Sequence, residues 1–443
     1  MRRPDSYFGL IFFCMAVIFT LLSSSFCGNA QASLIYTPNT YGLTTRGFTL
    51  AGALTGDRHD LSVGYYNPGA AALIPGTNTG LSYIYSMPYL FGGYVDGTKI
   101  TQRDNNKLVS LTVAFNLRDL FAKRLPLPPL GFSFNVAGDD NFSTLMIFDD
   151  MPTYQGDFTR YGLGNVSMQG AIGVGIFPWL SVGFGFHGGF RGYGSVQTRA
   201  DLLGDTANEG TRMRGAFTAR PLGGLYFHGD IWGIGIVYRA ETHGAFAPIK
   251  VDAQPSISGL DVDALDLSFD FLDTYAARQL AVGFSFDLIP SRLTLLADGT
   301  WRQWSQYQEL ASNPRYASAD AKFRTRDIVT PKVGIEHRIS EDVMLRAGYR
   351  FEQTPFDTIG TRFIGLGEKI HGKVILDSDT HVAAIGGGLI FDERTFLDGD
   401  INLDVGYQGH FMEPRRTQTS DGFVYEMRGT VHVLSASVSL HFD

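Results

Sequence analysis

From about residue 79 to its end, the chain keeps alternating apolar residues with glycine, small, polar or charged ones. A period of two admits few folds. Leu434, Ala436, Val438, Leu440 and Phe442 alternate with Ser435, Ser437, Ser439 and His441. The same pattern recurs at Leu180–Phe186, Trp232–Tyr238, Leu280–Leu288, Leu293–Trp301 and Ile401–Tyr407. Each reads as a strand with one apolar and one polar or small face. A soluble sandwich also alternates, but its outer face seldom needs so much glycine, and Gly here numbers 53 of 443 residues. An apolar band in lipid around a polar lumen accounts for both faces.

The pattern predicts strands at about 79–87, 107–116, 130–137, 166–176, 179–190, 213–228, 231–240, 277–288, 291–304, 326–338, 342–352, 380–391, 399–411 and 429–442. Connections such as Phe177-Pro178, Gly229-Asp230 and Ile289-Pro290 are short, and they alternate with long ones such as 241–276 and 353–379. Short turns on one side and long loops on the other, with an even strand count, define a bacterial outer-membrane barrel. The expected fold is therefore all-β: a transmembrane antiparallel β-barrel of about fourteen strands, spanning residues 79–443. Residues 117–129 are too long for a simple turn, and a small helix or bent element is expected there.

The first 32 residues read differently. Arg2 and Arg3 precede an apolar core from Phe8 to Leu22, and Ala30-Gln31-Ala32 fits a small-x-small cleavage site. This is the pattern of a secretory signal peptide, residues 1–32. The core falls short of the roughly 20 residues an anchor helix needs. A lipoprotein through Cys27 is opposed by the bulky Phe26 before it. Both cysteines, Cys14 and Cys27, lie in this segment, so the mature chain is expected to hold no disulfide. No run of 18 apolar residues follows Ala32, which leaves a soluble protein or a barrel. The net charge of −8 and the lack of a basic tract argue against nucleic acid.

Between the leader and the first strand, residues 33–78 are rich in small residues and turn formers. Ala51-Gly52-Ala53, Gly56-Asp57 and Asp60 lead to Tyr65-Tyr66-Asn67-Pro68-Gly69. This segment resembles the N-terminal plug of the FadL/TodX (OmpP1) family of outer-membrane hydrophobic-compound transporters, whose Asn-Pro-Ala motif here reads Asn67, Pro68, Gly69. "LTLLADGTWRQWSQYQEL", with Trp301 and Trp304, and "LRAGYRFEQTPFD" resemble the same family.

The resemblance implies a plug inside the barrel, held at the bacterial outer membrane. It further implies passive uptake of long-chain fatty acids or related hydrophobic compounds. They would be captured at the extracellular loops and released sideways through the wall into lipid. Pro68 and Pro75 would keep the segment from pairing as a strand. Leu130 to Asn141 is the candidate for a weakly paired strand beside such an opening. The C-terminal strand would engage the barrel assembly machinery, and a monomer is expected.

No catalytic motif of the GxSxG, HExxH or GxxxxGK[ST] type occurs. No enzyme activity, cofactor or metal is expected. His371, His381, Asp377 and Asp379 lack the spacing of a known metal site and read as loop polarity. The informative charges lie on the inward faces. If Leu345, Ala347, Tyr349 and Phe351 meet lipid, Arg346 and Arg350 meet the lumen, and Arg302, Asp298, Lys332, Glu336 and Arg338 follow by the same rule. Arg346, Arg350, Arg302 and Lys332 are the candidate cations for a substrate carboxylate. Ion pairs between strands and plug are the competing use for them. A porin-like channel for polar solutes and a surface-binding or adhesin barrel are the alternative functions.

Overall fold

The structure, a computed structural model, describes residues 37–94, 99–102, 105–118, 128–139, 158–159, 166–201, 206–257, 260–261, 265–307, 325–357, 360–364, 370–393, 399–418 and 424–442. The expected leader lies outside these residues, as does most of 117–129, of which the helical turn Leu117-Arg118 and Pro128-Pro129 are described.

Fourteen strands close into one antiparallel barrel. They are β1 (Thr77–Tyr94), β2 (Asn106–Asn116), β3 (Leu130–Asp139), β4 (Ser167–Phe177), β5 (Leu180–Asp201), β6 (Thr206–His228) and β7 (Trp232–Arg239). Then come β8 (Arg278–Ile289), β9 (Leu293–Gln303), β10 (Ile328–Arg338), β11 (Val343–Glu352), β12 (Thr380–Glu393), β13 (Gly399–Gln418) and β14 (Val424–Phe442). The last strand closes on the first, from Thr77↔Phe442 to Tyr94↔Tyr425. Closure leaves no unpaired sheet edge, as a strand-built span in lipid requires.

Each alternation sets a face as expected. Phe184 is 72% and Val405 63% exposed on the outside, while Arg346, Arg350 and Arg302 are buried within. Beyond the membrane, the strands at Thr242–Ile257 and Leu265–Ala276 pair with each other, and the first also pairs with the upper part of β5.

One expectation is corrected. Within β3, Gly131–Asp139 pairs with β2 and Leu130–Ala137 pairs with β4, both without a register shift, while residues 140–141 lie outside the described residues. A short strand in sequence is here a fully paired one. The wall is thinner in pairing elsewhere. Between β10 and β11 the register runs only from Arg338↔Met344 to Lys332↔Arg350. Above that level the next described backbone links are Arg326 N–H to Pro355 O (2.8 Å) and the bridge Thr325↔Phe356. In the interval the Val329 N–H is held by the Gln353 side chain at 3.2 Å. Pro331, which has no N–H to give, sits at its lower edge.

Residues 37–76 lie inside the barrel. They form short helical turns at Thr37–Thr40, Thr45–Thr49 and Val63–Tyr66 and a 3₁₀ turn at Pro68–Leu73. Thr44 caps the second of these, its hydroxyl accepting from the Gly47 N–H at 3.0 Å. Phe48, Leu50, Val63 and Ala70 through Ala72 are buried against the wall. The wall makes room with glycine. Gly131, Gly173, Gly183 and Gly224 stand in register across β3 to β6. A Cβ on Gly131 would lie 1.8 Å from Ala71 O, and one on Gly183 would lie 2.1 Å from Pro68 C. Contacts that close cannot exist, so at these positions the wall is bare backbone and the 3₁₀ turn rests directly on it.

Candidate functional site

The Asn67-Pro68-Gly69 motif is the joint between the inner segment and the wall. Asn67 caps the 3₁₀ turn: its Oδ1 accepts from the Gly69 N–H at 3.0 Å. Its Nδ2 donates to Thr55 O at 3.0 Å and to Leu225 O, on β6, at 3.1 Å. One buried amide thus satisfies three backbone groups from three stretches of chain. Gly69 lies close against the wall, since a Cβ there would lie 3.0 Å from Ser181 O and Tyr226 N.

Inward charges divide into two layers. The lower layer faces the periplasmic turns. Arg46 of the inner segment reaches Asp57 Oδ2 at 2.5 Å and grips Glu336 of β10 with two bonds of 2.9 and 3.0 Å. Arg346 of β11 donates to the same Glu336 and to Asp404 of β13, at 2.5 Å each. Asp60 is held by the Thr44 hydroxyl at 2.8 Å and by the Ser62 N–H at 2.8 Å. Burial raises the Asp57 carboxyl, but the charge and hydrogen bond of Arg46 together with His59 outweigh it and hold Asp57 below the usual range. Burial dominates at Asp60, whose carboxyl is pushed up. Asp57 and Glu336 in turn hold Arg46 charged despite its burial. This layer is an ion-pair network that ties the inner segment to three wall strands.

The upper layer faces the extracellular side and surrounds a cavity of about 20 Å³. Its lining carries Arg239, Arg302, Lys332 and Arg350, with Gln279, Tyr65 and Tyr66, and no carboxylate among the described residues. Glu352 stands behind the lining, 3.1 Å from Arg302 and 3.6 Å from Arg350. Asp298 of β9 stands opposite Lys332 in register, and carbonyls of the inner segment accept further bonds. Arg239 donates to Tyr65 O and to Tyr66 O (3.1 Å), and its guanidinium lies 4.4 Å from the Tyr65 ring centroid. Lys332 donates to Gly52 O at 3.2 Å, and Arg350 donates to Thr40 O. Above this layer, an aromatic cluster joins Trp304 to Tyr275 (5.2 Å), Tyr307 (6.0 Å) and Phe356 (6.1 Å).

Of the four cations picked out in the sequence, Arg302, Arg350 and Lys332 meet at this cavity. Arg346 does not; it belongs to the lower network. Arg239 completes the set. Its signal was present in the alternation of β7, where it follows Tyr238 on the inward face. Of the two tryptophans, Trp301 lies on the outward face of β9 and Trp304 in the aromatic cluster. Among the described residues no group of His, Cys, Asp and Glu is arranged to hold a metal ion.

Residues 281–442 match the family described as outer membrane protein transport protein (OMPP1/FadL/TodX). The chain is 22% identical to alkane uptake protein A of Marinobacter nauticus, over 95% of this chain and 94% of that protein. Its fold is similar to that of a Pseudomonas aeruginosa FadL homologue, with a TM-score of 0.58, 15% identity, and coverage of 95% of this chain and 100% of the other. It is similar also to the Ralstonia pickettii toluene transporter TbuX, with a TM-score of 0.50, 12% identity, and coverage of 91% and 100%. The family match covers the stretches of β9 and β11 that carry the resemblance. The chain is a β-barrel whose residues 281–442 match that family and whose fold resembles the FadL/TodX-type transporters of the bacterial outer membrane.

Proposed function

We propose that this FadL/TodX-type barrel takes up hydrophobic molecules that carry a carboxylate, long-chain fatty acids being the type case. The observation behind this reading is the cavity lining, which presents four cations and no described carboxylate. Four cations gather here around Glu352, at Arg302 and Arg350, and Asp298, opposite Lys332, so the layer carries an excess of positive charge. A carboxylate would replace neutral acceptors with charged ones, and charge-assisted bonds are about twice as strong. Arg302 and Arg350 can each bind one bidentately.

The cavity holds roughly one water molecule at its present size. The inner segment must therefore give way for a ligand to enter. The aromatic cluster at Trp304 supplies an apolar surface at the extracellular end for the alkyl chain. Transfer of that chain into lipid is favourable by about 0.8 kcal/mol per CH₂. This favours release sideways through the wall over passage through the charged lower network. Residues 33–78 act on this reading as a plug that keeps the lumen closed to polar solutes, against a porin function.

The relative named for alkane uptake supports a second reading, in which the cargo has no headgroup. Proteoliposomes separate the two. Uptake of labelled palmitate and of hexadecane would be measured in wild type and in Arg302→Gln/Arg350→Gln. Loss of palmitate uptake with hexadecane unchanged supports the carboxylate reading. Equal uptake of both, unaffected by the substitutions, supports the alkane reading.

A further inference from the structure

The outer wall of β12 to β14 changes character toward its extracellular end. On β14 the outward run Leu440, Val438, Ala436, Leu434 gives way to His432, Thr430 and Arg428. On β13 and β12 the apolar run gives way at Glu413 and His381. Aromatic rings stand at this boundary, among them Tyr407, Phe411 and Tyr89, all on the outward face. An apolar band that ends in a girdle of aromatic residues marks the headgroup level of the membrane. Ionisable side chains at that depth are costly unless something answers them.

Two of the basic residues here have a carboxylate. His381 Nε2 lies 2.9 Å from Glu413, and Arg416 lies 3.3 Å from Glu426. The other two have none among the described residues. Arg428 is exposed, and its guanidinium lies 5.5 Å from the ring centroid of Phe91, its register partner on β1. Stacking occupies the face of a guanidinium and leaves its N–H edge free for an oxyanion. His432 stands four residues lower, with Nδ1 2.7 Å from the Tyr407 hydroxyl. Its ring is stacked with Tyr407 (6.1 Å) and meets Tyr89 edge-on (5.9 Å). With the Tyr407 hydroxyl donating to Nδ1, the ring proton sits on Nε2, which makes no bond among the described residues. Three aromatic rings thus fix two basic groups and leave a donor edge on each.

We infer that Arg428 and His432, on the ring shelf of Phe91, Tyr89 and Tyr407, form a binding site for a phosphorylated glycolipid of the outer leaflet. Arg428, at the higher level, takes a phosphate through charge-assisted bonds. His432, at the top of the apolar band, donates from Nε2 to an acyl carbonyl of the same molecule. The rings between them cover the junction of sugar and acyl chain, being apolar in body and polar at the tip. The shelf faces the membrane and not the lumen, so its occupant is the lipid itself, whatever the barrel transports.

Native mass spectrometry of the solubilised full barrel tests this with lipid A, intact or with its phosphates removed. Arg428→Gln removes the unpaired cation, and Arg416→Gln, whose cation is paired with Glu426, is the neighbouring control. Wild type is expected to hold intact lipid A about ten-fold more tightly than R428Q does, and about ten-fold more tightly than it holds the dephosphorylated form, with R416Q like wild type. His432→Phe keeps a ring but no donor and is expected to fall between R428Q and wild type. Equal binding of the two lipid forms by wild type overturns the inference, and that comparison needs no variant to fold. So does a loss in R416Q as large as in R428Q. Palmitate that displaces the bound lipid would make the shelf a cargo site and overturn it as well.

Discussion

Lys332 stands directly opposite Arg350 across β10 and β11, and at that pair the ladder between the two strands ends. Two cations facing each other at the last rung repel. Pro331, one residue up, cannot donate a backbone bond. Substituting Pro331→Val is expected to restore one net hydrogen bond of about 1 kcal/mol and extend the ladder upward. Hydrogen exchange would read this as slower exchange at Phe351 and Gln353. Unchanged protection there would mean that proline is not what ends the ladder.

Arg46 is the single cation through which the inner segment grips Asp57 and Glu336 together. Arg46→Ala leaves Glu336 with Arg346 and takes from Asp57 its guanidinium partner. Breaking a buried pair costs about 3–5 kcal/mol. The barrel itself should persist, since none of its strand pairings passes through residue 46. The expected outcome is sugar-permeable liposomes and new protease cleavage within residues 37–76, with an unchanged strand signal by circular dichroism.

The same contact sets an acid limit. The Asp57 carboxyl is depressed in the folded protein, so its contribution is full above its ordinary unfolded value and is lost as pH falls through the lower folded one. Asp60 is raised by burial and works in the opposite sense. Sugar leakage from proteoliposomes should therefore appear only in strongly acid buffer, and in Asp57→Asn the leak should be present at neutral pH and vary little on acidification. At the alkaline end, burial pushes the Tyr41 phenol up to about 12. Stability should fall from about pH 10 upward, because the unfolded chain ionises first.

Gly183 and Gly223 lie on neighbouring strands with opposite demands. A Cβ on Gly183 would strike Pro68 at 2.1 Å, whereas one on Gly223 finds its nearest atom at 3.8 Å. Gly183→Val should unseat the 3₁₀ turn and open the barrel to small sugars, while Gly223→Ala should behave as wild type. Equal leakage from both would mean that glycine serves the strands rather than the inner segment.

The strands were legible because lipid on one side and a polar lumen on the other force every second residue to a fixed character. Leu345, Ala347, Tyr349 and Phe351 could not face inward without Arg346 and Arg350 facing hydrocarbon. What alternation cannot supply is height along the barrel and the partner across the lumen. Arg346 and Arg350 share a face and a strand. Yet one meets Glu336 and Asp404 and the other lines the cavity, because the inner segment reaches them at different levels. Arg239 was missed for the same reason: its partners are carbonyls of Tyr65 and Tyr66, 174 and 173 residues away. The short β3 misled because shortness in sequence says nothing of the neighbours' registers. The real end of a ladder was marked by Pro331, in the middle of a well-formed alternating run.

Asn67 offers the sharpest test of the motif, because its amide accepts on one side and donates on the other. Asn67→Asp keeps the acceptor for the Gly69 N–H and so keeps the cap. It loses both donors, leaving Thr55 O and Leu225 O without their partner and bringing a carboxylate against carbonyl oxygens. Asn67→Ala loses all three bonds but adds no charge. Each buried group left unpaired costs about 1–3 kcal/mol, and a buried charge costs more. The expected order of sugar leakage is therefore Asp above Ala above wild type. If N67D sealed as well as wild type, the cap alone would hold the turn, and the bond to Leu225 on the wall would be dispensable. The aspartate variant reports directly on whether this side chain fastens the inner segment to the barrel or only shapes its own turn.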